Sequence, residues 1–172
     1  MKTKITKGPT FALFSFLLIA RSGVKDEQFL KKASAANQAE IAFGKIAKTH
    51  ASTDSVKQMA GQMMADYQRA EKDLQQVFKR IGVPTQMFVD SDHVAKLQTL
   101  EKLSGEKFDA FYLNTQNLDH QEMTSLYKIE ILEGSDSSAK SYAVKYLPVL
   151  ERNLKRFHEA TTGLLNSNPV TR

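Results

Sequence analysis

"DSVKQMAGQMMADYQRAEKDLQQVFKRIGVP", residues 54–84, carries Val56, Ala60, Met63, Tyr67, Ala70, Leu74, Val77 and Ile81 at alternating steps of four and three. At 3.6 residues per turn these positions fall on one stripe, as in a helix that buries one side. The spacing predicts a helix from about Asp54 to Ile81. Gly82 supplies the residue that can adopt a left-handed cap, and Pro84 bars continuation. Upstream, "ASTDS" offers Ser and Asp as N-cap candidates.

Helical spacing extends to both sides. Phe29, Ala33, Ala36, Phe43 and Ala47 predict a helix from Asp26 to about His50. A loop over Val83–Asp90 leads to a short helix, about Ser91–Leu103, which Gly105 breaks. A third long helix is expected over Glu106–Glu133, and "GSDSS" stops it and caps the next. The fourth covers about Ala139–Leu165, with Pro148 inside it, where a kink or an unpaired carbonyl is expected. The end, 167–172, reads as a frayed tail.

An internal repeat organises these helices. A shift of 83 residues places Asp26 on Asp109, Leu30 on Leu113, Gln38 on Gln121, Ser55 on Ser138, Ala60 on Ala143 and Arg69 on Arg152. Two related helical hairpins follow, joined by a long connection that carries the short helix. Long helices joined by short loops pack as antiparallel neighbours, and a duplicated hairpin with a long crossover is the plan of ferritin-like bundles. The expected fold is all-α, a ferritin-like four-helix bundle over residues 23–166.

Composition narrows the chemistry. The chain has 172 residues, 41% of them hydrophobic, enough for one domain with a core. Cysteine is absent, which excludes disulfides, thiolate metal sites and cysteine nucleophiles. The pI of 9.3 suggests an acidic partner. Yet Lys2, Lys4, Lys7 and Arg21 lie in the first 22 residues, and without these 4 of the 24 basic residues, 20 remain against 19 acidic. Nucleic-acid binding is not expected.

The opening "MKTKITKGPTFALFSFLLIARSG" joins a lysine-bearing start to an apolar run, Phe11–Ala20, and small residues before Gly23. That run is short for a membrane span, which needs about 20 residues, and suits a signal peptide over 1–22. "LLIARSG" resembles a lipoprotein box with Arg21 where the lipidated cysteine would stand, so no lipid anchor is expected. The mature chain, with no transmembrane span, is expected in the periplasm or secreted.

Polar residues interrupt the apolar stripes. Glu40, Tyr67, Asp119 and Asn153 fall near the centres of the four faces, with Asp66 at the edge of one. Glu122 and Glu130 share the broad face of the third helix, and His120 stands about 100° from Asp119, at its edge. A carboxylate buried without a partner costs several kcal/mol or takes up a proton. Two readings follow. One is a hydrogen-bonded core layer of Glu40, Tyr67, Tyr112, Asp119 and Asn153. The other is a metal site using Glu40, Asp66, Asp119, His120 and Glu130, whose carboxylate and imidazole donors suit iron, manganese or zinc. A Glu-x-x-His tetrapeptide is absent from the sequence. Met63, Tyr67, Tyr112 and Tyr146 could line a small-ligand pocket, or simply pack. His50, His93 and His158 read as surface groups. No Ser–His–Asp order, phosphate loop or close inward acid pair is identifiable, so no catalytic residue is assigned.

The segments "FLKKASAANQAEIAFGKIA", "VKQMAGQMMADYQRAEKDL", "LSGEKFDAFYLNTQNLDHQEM" and "YAVKYLPVLERNLKRF" resemble a bacterial family of exported ferritin-like proteins, domain of unknown function 4142. The resemblance covers roughly residues 26–165 and rests on Asn37–Glu40, Met64–Asp66, Gly105–Tyr112, Asp119–His120 and Leu147–Pro148. It implies a ferritin-like bundle in the cell envelope and no established activity. Family members commonly carry histidines where this chain has Tyr67 and Asn153; of three recurrent histidines only His120 remains. The expected function is a non-catalytic, exported helical bundle in envelope maintenance or stress tolerance, working through a protein partner or homo-oligomer. The alternative is a metal-binding ferritin-like protein with a degenerate carboxylate/histidine site.

Overall fold

The computed structural model describes the backbone of residues 13–85 and 89–167, and the side chains of 25–85 and 89–164. Its helices are α1 (Leu13–His50), α2 (Asp54–Ile81), α3 (Ser91–Leu100), α4 (Gly105–Glu133) and α5 (Ser137–Ser167). None is long and apolar enough to cross a membrane among the described residues. The expected signal segment, 1–22, and the tail beyond Ser167 lie wholly or in their side chains outside the described residues.

The ends of these helices follow local chemistry. The N-cap of α2 is Thr53, not the expected Ser or Asp; its hydroxyl accepts from the Val56 N–H at 3.3 Å. Gly82 closes α2 in the left-handed region, φ 73°. α1 begins at Leu13 rather than Asp26, since the apolar run ahead of Asp26 contains good helix formers. α3 stops at Leu100, short of the expected Leu103, because the chain tightens into turns with Lys102 N–H on the Thr99 carbonyl and Leu103 N–H on that of Leu100. α5 starts at Ser137, two residues early, where the Asp136 carboxylate accepts from the Ser138 and Ala139 N–H groups at 2.8 and 2.9 Å. Pro148 sits inside α5, and lacking an N–H it leaves the Val144 carbonyl without its helical donor.

Packing is densest within the pairs α1–α2 and α4–α5, then between α1 and α4 and between α2 and α5. Two hairpins therefore lie side by side. Asp26, near the start of the bundled part of α1, touches the turn after α4, and Asp109, near the start of α4, touches the turn after α1. So α1 and α4 run antiparallel. Along the other seam Arg80 meets Ser138, Lys145 meets Asp73, and Arg156 meets Gln62, again in opposite order. The connection from Gly82 to Ser104 must consequently travel the length of the bundle, and α3 lies in it against α1 and α4.

Leu30, Phe43, Met63, Leu74, Phe78, Phe108, Leu113 and Phe157 are buried in one continuous cluster. Each such side chain contributes roughly 1.5–3 kcal/mol. Small residues let the helices approach: at Gly44 an added Cβ would lie 3.0 Å from the Ala60 carbonyl and from Met64 Cβ.

Candidate functional site

On α4, Tyr112 and Gln116 stand four apart, Asp119 and His120 follow three and four residues after Gln116, and all four face inward. All are buried, and so are Asn37 and Glu40 of α1, Tyr67 and Glu71 of α2, and Asn153 of α5. The core therefore holds more polar groups than the four that the helical wheel centres.

His120 is 1% exposed, not at the edge of its face as expected, whereas Glu122 is exposed. The α4 face is rotated a fraction of a turn from the one the apolar pattern centres. His120 Nδ1 lies 2.8 Å from the Gln116 carbonyl, which can only accept, so Nδ1 carries the proton. Nε2 then accepts from the Tyr67 hydroxyl at 2.9 Å. Burial pushes the His120 pKa down to about 4, which keeps the ring neutral. Burial likewise pushes the Tyr67 hydroxyl well up, and the nearby Glu40 charge adds to the shift, so Tyr67 remains a donor. The lone pair that a metal would need is engaged by Tyr67.

Glu40 and Asp119, on the packed helices α1 and α4, feel each other's charge. Burial drives Glu40 well above the usual carboxylate range, and the Asp119 charge adds to it. The Gln116 amide and Lys96 oppose that shift. Glu40 Oε2 and the Gln116 amide have no hydrogen-bond partner of ordinary geometry. Burial also raises Asp119, against the pull of Lys96. Lys96 comes from α3: its ammonium lies 2.7 Å from Asp119 Oδ1 and 2.5 Å from Asp92 on its own helix. Burial lowers the Lys96 pKa, but the two carboxylates outweigh that and keep it protonated.

A second network sits on Glu71. It accepts from Ser34 Oγ at 3.0 Å, from Asn37 Nδ2 at 3.0 Å and from Gln75 Nε2 at 2.5 Å. Asn37 also donates to the Tyr142 hydroxyl at 3.1 Å. Glu71 lies within about 40° of Tyr67 on the α2 stripe, and the apolar spacing by itself does not single it out.

The five candidate metal ligands separate into distinct places. Glu40 and Asp119 share one. His120 is turned to Tyr67. Asp66 sits at the α2–α5 seam, where Arg69 and Arg152 each hold one of its carboxylate oxygens. Glu130 is beside Asp26 at one end of the bundle, its pKa raised to about 7 by burial and by the Asp26 charge. Among the described residues no group of three or more His, Asp or Glu side chains is arranged to hold a metal ion. Of the five core-layer residues, Glu40, Tyr67, Tyr112 and Asp119 are coupled through Glu40. Asn153 is buried with both amide atoms unpartnered. Met63, Tyr67 and Tyr112 are packed in the core, and the cavity that lies by Tyr67 and Tyr146 has about 10 Å³.

A family model described as Domain of unknown function (DUF4142) matches residues 20–160. No curated protein and no solved structure matches the chain.

Proposed function

The chain belongs to the family described as Domain of unknown function (DUF4142), and on that premise we propose that it is an exported, ferritin-like helical bundle of the bacterial envelope that acts without catalysis. Its role is envelope maintenance or stress tolerance, exerted through contact with a protein partner or a second copy. One observation carries the non-catalytic reading. The acids and the imidazole most apt for chemistry are answered by side chains of the same protein: His120 by Tyr67, Asp119 by Lys96, Asp66 by two arginines and Glu71 by three donors. A general base or metal ligand needs a free lone pair, and packing partners engage those of His120, Asp66 and Glu71, leaving only Glu40 Oε2 and Asp119 Oδ2 unanswered among these groups.

Contact through the outer surface is supported by Leu118, Ile129 and Leu132, exposed on one stripe of α4. Export is supported by the lysine-bearing apolar leader over residues 1–22.

Elemental analysis of protein purified from its own host, alongside Asp119→Asn, tests the reading. The expected result is iron, manganese and zinc far below one per chain, with Asp119→Asn folded and as stable as the parent. Near-stoichiometric iron or manganese, lost on Asp119→Ala, would overturn it. Cell fractionation with N-terminal sequencing tests the location, and recovery of the intact N-terminus in a membrane fraction would sink it.

A further inference from the structure

We infer that Glu40 and Asp119 form a hard-cation site in which the Lys96 ammonium holds the place of the cation, and that a divalent ion of the calcium class enters when α3 lifts. Two buried carboxylates on facing helices need positive charge between them if both are to ionise. In the described conformation one ammonium supplies it, through Asp119 Oδ1 alone. Glu40 Oε2, Asp119 Oδ2, the Tyr112 hydroxyl and the Gln116 amide oxygen are buried with no hydrogen-bond partner. Glu40 is 3% exposed and Gln116 and Tyr112 are 0% exposed, so water does not reach their side chains from the surface. These donors are all oxygens, and oxygen donors suit hard cations such as calcium rather than the metals that favour imidazole.

The place of Lys96 in the fold makes it removable. α3 has 10 residues and fully buries only Leu100, with Leu97 and the His93 ring partly packed against the core, less apolar area than any of the long helices buries. The ammonium has a second carboxylate, Asp92 on its own exposed face, to retreat with. Beside it a cavity of about 240 Å³ is lined by Asp90, Asp92, Asp119 and Glu122 against Lys32, His93 and Lys96, an excess of acid that favours cations once Lys96 withdraws. Displacement of Lys96 lowers the apparent affinity by the fraction of time α3 is lifted. The wild-type chain therefore binds weakly, and loss of the ammonium exposes the site.

Terbium(III), a calcium probe, is titrated into the full chain with calcium as competitor. Tryptophan is absent, so sensitised emission must come from tyrosine, and Tyr112 adjoins the site. Lys96→Met is expected to bind one terbium ion about tenfold or more tighter than wild type, with calcium displacing it. Adding Glu40→Gln or Asp119→Asn to Lys96→Met should abolish that gain. A Lys96→Met affinity equal to wild type, or a gain that survives Glu40→Gln, overturns the inference. Should Lys96→Met not fold, hydrogen exchange of wild type decides. Saturating calcium is expected to speed exchange over residues 91–100, and unchanged exchange there overturns the inference. Either failure leaves the iron, manganese and zinc measurement untouched.

Discussion

At one end of the bundle Asp109 of α4 grips the turn after α1. Its carboxylate accepts from the Ser52 N–H at 2.9 Å, the Ser52 hydroxyl at 2.7 Å, the Thr53 N–H at 3.2 Å and the Thr53 hydroxyl at 3.1 Å. At the other end Asp26 of α1 grips the turn after α4. It accepts from the Ser135 N–H at 2.9 Å, the Ser135 hydroxyl at 2.5 Å and the Asp136 N–H at 3.0 Å. The same 83-residue shift relates Asp26 to Asp109, Ser52 to Ser135 and Thr53 to Asp136. Each hairpin thus locks the turn of the other. The difference lies one layer inward. Where the Asp109 end has Ala47 and Ala51, the Asp26 end has Glu130 and Gly134. Glu130 sits so close to Gly134 that a Cβ there would collide with its carboxylate and its carbonyl. One clamp is backed by two small residues, and its twin by an acid whose pKa burial raises to about 7.

The largest effect should come from cutting the Asp109 clamp. Asp109→Ala leaves four donors unanswered and is expected to cost about 3 kcal/mol in denaturant unfolding. Asp26→Ala should cost less, about 2 kcal/mol, because Glu130 loses the neighbouring charge that opposes its ionisation. Equal losses, or a larger one at Asp26, would break the contrast between the ends.

The next effect is one of pH. For Asp26, burial raises the pKa, but the bonds from Ser135 and Asp136 outweigh it and hold the carboxyl below its ordinary 3.8. Its stabilisation is present above that ordinary value and is lost as pH falls through the lower folded one. Glu130 has the opposite sign. Its pKa rises from the ordinary 4.5 to about 7, so the folded state keeps a proton that the unfolded chain releases. Stability should decline as pH rises between those two values and level off above them. Thermal melts of Glu130→Gln should lack that decline, and a slope unchanged from wild type would assign it elsewhere. The smallest effects should be matched: Ser52→Ala and Ser135→Ala each cost about 1 kcal/mol, since the two hydroxyls serve twin carboxylates. A clear inequality would mean that the repeat does not extend to energetics.

The repeat was legible because it is written in matched residues, and Asp26 on Asp109 is part of it. What those two acids hold was not, because their partners lie 109 and 57 positions away in the chain. The α4 face shows the limit of the wheel most clearly. Asp119 and His120 are neighbours 100° apart, and a modest rotation of the helix decides which is deeper. The apolar pattern centred Asp119, yet His120 is the more completely buried. Glu71 was detectable, at an inward position of α2, but nothing local announced that Ser34, Asn37 and Gln75 would answer it.

Residue spacing and turn chemistry alone specified the helices, the cap at Gly82, the hairpin pairing and the duplication. These depend on periods and propensities that act within a few turns of the chain. Only the tertiary structure decided which charges neutralise which: Lys96 on Asp119, Tyr67 on His120, two arginines on Asp66. Desolvation and pairing depend on how helices rotate against each other and on the path of the crossover. The α3 ammonium reaches a carboxylate 23 residues on only because the connection runs back along the bundle.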